Sequence, residues 1–188
     1  MKIASDKLIE DLIKRTRHNI AQAEKLRTRS LADLNEKRTP TSWSALECLE
    51  HLNLYGDFYL PEIKTRLSNN QTTAEPLFKA GILGNYFANA MLPSENMHKM
   101  KTFKDKNPNG SSLRKTCIDR FLSQQEQLLE LLERSRKFSL NKTKTAVSIS
   151  KFIKLKLGDT FRVLIYHNQR HILQAYKAVG AEAEFKAA

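Results

Sequence analysis

Apolar positions recur at helical spacing in four long stretches of this chain, with charged positions opposite them. Leu8, Leu12, Ile13, Ile20 and Leu26 form one such stripe, and predict a helix over roughly residues 6–28. A second helix is expected to open at Ser44. Ser44-Ala-Leu-Glu47 fits a capping box, and Trp43 just outside it is placed to act as a hydrophobic staple. This helix should run to about Leu67, kinked or split by Pro61. A third is expected from Ser111 or Ser112 to about Arg136, with Leu113, Cys117, Phe121, Gln125, Leu128 and Leu132 on its stripe. A fourth is expected from Gly158-Asp159-Thr160, with Asp159 as N-cap, to Gly180, a good residue for the C-terminal turn.

The remainder is less regular. Ser68 to Thr73 reads as a polar loop, Leu83–Leu92 as a short helix stopped by Pro93, and Asn107-Pro-Asn-Gly110 as a turn. A connection this long in a helical protein predicts a crossover or a lid. In residues 139–157, Val147-Ser-Ile149 alternates like a strand but has no evident partner, and the segment is read as an extended connection. The expected fold class is therefore all-α: a four-helix bundle with a long, partly helical crossover insertion.

A length of 188 residues suits one domain spanning the chain, 1–188. Only 6 Gly and 5 Pro are present, which favours long helices over a turn-rich β fold. No apolar run approaches the roughly 20 residues needed to span a bilayer. The first residues lack the apolar region of a signal peptide, so the expected compartment is the cytoplasm. Cys48 and Cys117 stand alone inside helical patterns and read as buried thiols, without a C-x-x-C motif.

The net charge of +12 is concentrated. Residues 99–115 hold six Lys/Arg against one Asp, and 134–156 hold eight Lys/Arg and no acid. Such segments could attract a phosphate-rich partner, or simply be a solvated face. They carry few aromatics for stacking, and no zinc-finger or basic-zipper pattern accompanies them, so nucleic acid is not the favoured partner.

The candidate chemistry lies in the last helix. His167 and His171, four residues apart, put two imidazoles on one helical face, one turn apart. Leu164, Gln174 and Ala178 share that face. Two nitrogens so placed can hold one transition-metal ion, and His51 on another helix could add a third. Three ligands would leave a position open for water or substrate. His18 and His98 lie in charged surroundings and read as surface residues. There is no His-Glu-x-x-His, nucleophile elbow, P-loop or dinucleotide fingerprint, which disfavours those enzyme classes.

Trp43-Ser-Ala-Leu-Glu-Cys-Leu-Glu-His51-Leu resembles the second-helix motif of the DinB/YfiT-like superfamily, and the run from Leu157 to Gln174, with its His-x-x-x-His, resembles the final-helix motif. The order and separation of the motifs match as well, so the resemblance covers nearly the whole chain. It implies a bundle with an up-down-down-up path and a divalent metal, often nickel or zinc, on His51, His167 and His171. It also implies metal-dependent thiol transferases using low-molecular-weight thiols, or hydrolases, and homodimers. The stretch from Pro76 to Gly110 would be an elaboration that shapes a pocket or an interface.

Two functions follow as expectations. In the first, the chain is a metalloenzyme acting on a small electrophilic substrate, with Glu47, Tyr55, Asn168 and Gln174 as candidates to support the ligands. Arg170 would then bind an anionic group or simply be exposed. In the second, it is a non-catalytic protein whose basic surface binds an acidic partner.

Overall fold

The computed structural model describes residues 1–93 and 102–183. The reading of His98 as a surface residue, and the start of the first basic segment, lie outside them. The four long amphipathic stretches are helices: α1 (Ser5–Arg27), α3 (Ala45–Ser68), α5 (Thr116–Ser135) and α6 (Leu157–Ala178). Two shorter helices, α2 (Leu31–Asn35) and α4 (Ile82–Met91), lie in the connections. At the start of α3, Ser44 accepts from the Glu47 backbone N–H, and the Glu47 carboxylate accepts from the Ser44 N–H, so the capping box is formed. The helix continues through Pro61 without splitting. At the end of α6, Gly180 takes φ +66°. The Ala181 N–H then reaches the Tyr176 carbonyl, and the Gly180 N–H the Lys177 carbonyl, which closes the helix.

Four expectations need correction. The chain is mostly helical but not all-α, because its described residues include two small antiparallel sheets. In one, β1 (Lys2–Ala4) pairs with β2 (Leu77–Lys79), Ile3 opposite Phe78. In the other, β3 (Lys144–Val147) and β4 (Ser150–Lys156) form a hairpin where an unpaired connection was expected. The strand-like Val147 finds its partner in the residues that follow it. Next, α5 starts at Thr116 rather than Ser111 or Ser112, since the Leu113 carbonyl is taken by the Asn35 side chain at 3.2 Å. Last, Asp159 is not an N-cap. The helix begins two residues earlier, and the Asp159 carboxylate instead accepts from the Gly81 N–H (2.8 Å) and from Arg162 (3.1 Å). That pins the start of α4 against α6. The approach is close enough that a Cβ on Gly84 would lie 2.4 Å from the Asp159 carboxyl carbon.

Side-chain bonds between helices set their relative directions. Arg15 reaches Gln169 and Tyr176 reaches the Gln22 carbonyl, so α1 and α6 run the same way. Asn53 bonds to the Cys117 carbonyl and Arg134 to Ser68, so α3 and α5 also run together. Arg27 pairs with Asp119 and Arg136 with Asp6, so α1 opposes α5.

The core between these helices is in two apolar parts. One gathers Leu8, Ile13, Leu128, Leu132, Phe161 and Ile165, and the other Ala23, Leu26, Leu49, Phe121 and Ile172. Fully burying each Leu, Ile or Phe among them contributes about 1.5–3 kcal/mol. Between the two parts, every long helix carries buried polar residues at the same level. These are Thr16, Asn19 and Gln22 on α1, Asn53 on α3, Gln124 and Gln125 on α5, and His167, Asn168 and His171 on α6. His51 is buried there too. The polar layer interrupts a core that could have been apolar throughout, and the histidines sit in it.

Candidate metal centre

The second turn of α3 carries His51 inward, and one turn of α6 presents His167 and His171 to it. The ring centroids lie 5.0 Å (His51–His167), 4.5 Å (His51–His171) and 4.6 Å (His167–His171) apart. One nitrogen from each ring can be chosen so that all three lie within 4.8 Å of one another. The exposures are 3%, 8% and 9%.

The protonation pattern follows from the surroundings. His51 Nδ1 stands 2.6 Å from the backbone carbonyl of Lys106. A carbonyl only accepts, so Nδ1 carries the proton and Nε2 has a free lone pair. That lone pair points at His167 Nε2, 3.2 Å away. Burial pushes the His51 pKa down to about 4, with the Lys106 carbonyl opposing the shift and the Lys106 charge adding to it. Burial first, then the neighbouring imidazoles and Arg170, hold His167 and His171 well below the ordinary range. All three are neutral at neutral pH, the form that ligates a metal. His171 Nδ1 is buried with no hydrogen-bond partner.

These features fit a metal ion. Zinc–nitrogen bonds of about 2.0–2.1 Å in a tetrahedron place two ligand nitrogens about 3.3 Å apart, close to the observed 3.2 Å. Three neutral nitrogen donors suit zinc, nickel, cobalt or iron, and an orphaned buried nitrogen needs a partner. The thiols of Cys48 and Cys117 are buried, as expected, and burial pushes both pKa values up, which keeps them protonated.

Of the four candidate supporting residues, two join the histidines and two do not. The Tyr55 ring meets both His51 (5.0 Å) and His167 (4.7 Å) edge-on, and its hydroxyl pKa is raised to about 12, chiefly by burial. Gln174, three residues on from His171, lines the same cavity wall and opposes the downward shift of its pKa. Glu47, in contrast, is committed elsewhere. One oxygen caps Ser44, and the other accepts from the Gly110 N–H at 2.5 Å and Lys37 at 2.7 Å. Asn168 donates to Gln125 at 2.9 Å, within the polar layer.

Two participants were not legible as such. The 3₁₀ turn Lys104–Lys106 in the long connection delivers the carbonyl that orients His51, a main-chain group that no side-chain motif announces. Trp43, expected only as a staple, stacks obliquely on His51 at 4.6 Å and His171 at 5.6 Å, with its Nε1 donating to Asn107.

The histidines face a cavity of about 820 Å³. Its walls come from the loop before α3, from α3, α4 and α6, from the long connection and from the β3–β4 hairpin. Of the stretch from Pro76 to Gly110, the described residues Phe87, Met91, Thr102, Phe103 and Asn107 line the pocket.

Residues 12–175 match the family model of the DinB superfamily, and the chain belongs to that superfamily. No curated protein and no solved structure matches it. The superfamily is metal-associated, and the three-His cluster here is compatible with a metal site. Among the described residues no helix is long and apolar enough to cross a membrane.

Proposed function

We propose that His51, His167 and His171 hold one divalent metal ion, nickel or zinc, and that the protein is a metal-dependent hydrolase or thiol S-transferase. In this reading the four long helices form one up-down-down-up bundle domain spanning the chain, as their paired directions suggest. The homodimer belongs to the proposal, as does a low-molecular-weight thiol as co-substrate. The observation that carries the reading is the set of neutral imidazoles on the wall of the cavity, with the His51 tautomer fixed by the Lys106 carbonyl.

A bound divalent ion would supply hydroxide near neutral pH from a water, or hold a thiol as thiolate. The chain's own groups do the rest. Lys106 keeps the His51 Nε2 lone pair aimed inward. Trp43 and Tyr55 cover the imidazoles and limit water. The Tyr55 hydroxyl stays protonated and can donate a hydrogen bond into the cavity.

A rate assay tests the reading. Metal-loaded protein is offered a chromogenic aryl halide with a small thiol, and separately a chromogenic ester without one. In the first reaction the thiol sulfur bonds to carbon, halide leaves and the thiol proton goes to solvent. In the second, water cleaves the ester to acid and alcohol. Turnover of either substrate that is lost in His171→Ala and on chelation is expected. Identical rates for loaded, chelated and variant protein would overturn the catalytic reading and favour a binding protein.

A further inference from the structure

One edge of α6 runs the length of the cavity. Val163, His167, Arg170, Gln174 and Lys177 all line it, at spacings of four and three that make a single stripe. From Val163 to Lys177 this stripe covers about 21 Å at 1.5 Å per residue. The histidines lie between its ends.

The two ends differ in chemistry. Beside Val163 the wall is apolar: Phe87 comes from α4 and Leu155 from β4, two residues before α6 begins. Beside Lys177 the wall is hydroxylic, made by Thr41 and Ser42. That loop lies at the C-terminal end of α6, where an Arg38 guanidinium nitrogen comes within 4.0 Å of the Cβ position of Gly180. No carboxylate lines the cavity among the described residues, and its two fixed charges, Arg170 and Lys177, are both positive. Glu47, one turn from His51, is turned into its cap and its pair with Lys37.

We infer that the cavity takes an elongated amphipathic anion. Its apolar part lies against Val163, Phe87 and Leu155, and its carboxylate or phosphate lies at the Lys177 end. The bond to be attacked would lie between them, at the histidines. The position of that bond rests on the metalloenzyme reading, whereas the preference for an amphipathic anion rests on the cavity wall alone.

Trp43 is the chain's single tryptophan and lines the cavity, so its fluorescence reports occupancy. The full chain, chelator-treated and zinc-loaded, is titrated with decanoate, decyltrimethylammonium and acetate below any micelle threshold. Decanoate should saturate the Trp43 signal in both forms at least tenfold more tightly than the cation, and acetate should not saturate it. Lys177→Glu, at an exposed position, should weaken decanoate about tenfold, and Arg170→Gln several-fold. Equal binding of decanoate and the cation, or an unchanged decanoate affinity in Lys177→Glu, would overturn the inference. A preference seen only with zinc would also overturn it, because the ion alone would then supply the attraction. A preference that persists in a protein retaining no metal supports this inference while sinking the metalloenzyme reading.

Discussion

His51 Nδ1 and the Lys106 carbonyl stand 2.6 Å apart, across fifty-five residues of chain. The bond joins a side chain in the second turn of α3 to a turn in the long connection. It converts a connection that looks dispensable into the element that decides which nitrogen of His51 faces the cavity. Four residues beyond Lys106, the Gly110 N–H donates to Glu47, so the helix cap and the segment that orients the imidazole are tied together.

Gly110→Ala tests that link gently. Gly110 has φ +84°, and a Cβ there would meet nothing within 4 Å, so the cost is conformational, about 1 kcal/mol. Metal affinity should fall several-fold with the fold intact, as read by competition with a chromophoric chelator and by circular dichroism. Unchanged affinity would separate the turn from the site.

Glu47→Ala should be more severe. It removes one half of a capping box and strands the partners of a carboxylate that is 1% exposed. A loss of about 1–3 kcal/mol is expected in urea denaturation. A loss below 0.5 kcal/mol (about the scatter for surface substitutions) would contradict the structural role assigned to it.

Acid should destabilise the metal-free protein. In the unfolded chain His51 titrates near its ordinary 6.5, and in the fold near 4. Between these values the unfolded state binds more protons, so stability present above pH 6.5 is lost as pH falls through about 4. For His51 alone the loss is about 3 kcal/mol, and the depressed pKa values of His167 and His171 act in the same direction. Chemical denaturation at pH 7.5, 5.5 and 4.5 should show a falling midpoint, and a flat profile would mean the imidazoles are not buried neutral groups.

Asn19 is fully buried, and both atoms of its amide lack a hydrogen-bond partner. The bonds from Arg15 to Gln169 and from Tyr176 to Gln22 bracket it, at the level of the histidines. Leucine has nearly the same shape and no polar atoms, so Asn19→Leu should stabilise the protein by about 1–2 kcal/mol in thermal or urea melts. Destabilisation would show that the amide is satisfied by buried water, which would make it part of a hydrated layer.

Much of the site was readable because its signals are local. Ser44 and Glu47 set the register of α3, which fixes the face that His51 occupies, and the spacing of His167 and His171 defines a face of α6. What was missed depends on partners distant in sequence or on the main chain. The strand Lys2–Ala4 is three residues long and pairs with a segment more than seventy residues away, so its own pattern carries no sheet signal. The hairpin buries Thr145, Val147 and Leu155, but the adjacent apolar pair Phe152-Ile153, with Phe152 exposed, breaks the alternation along β4. Asp159 has the residue type of an N-cap, yet tertiary bonds to Gly81 and Arg162 claim it. Asn168 and Glu47 lie one residue and one turn from the clustered histidines, but each is committed to another partner. Nearness in sequence to a site histidine did not predict contact with it.

The central claim is that three imidazoles from two helices bind one ion. Metal content after equilibrium dialysis against nickel and against zinc tests it most directly, on the unaltered protein beside His51→Ala and His171→Ala. The account predicts about one ion per chain in the unaltered protein, and affinity reduced at least tenfold in each variant with the helical fold retained. An unaltered protein that keeps neither metal, or variants that keep as much as it does, would contradict it.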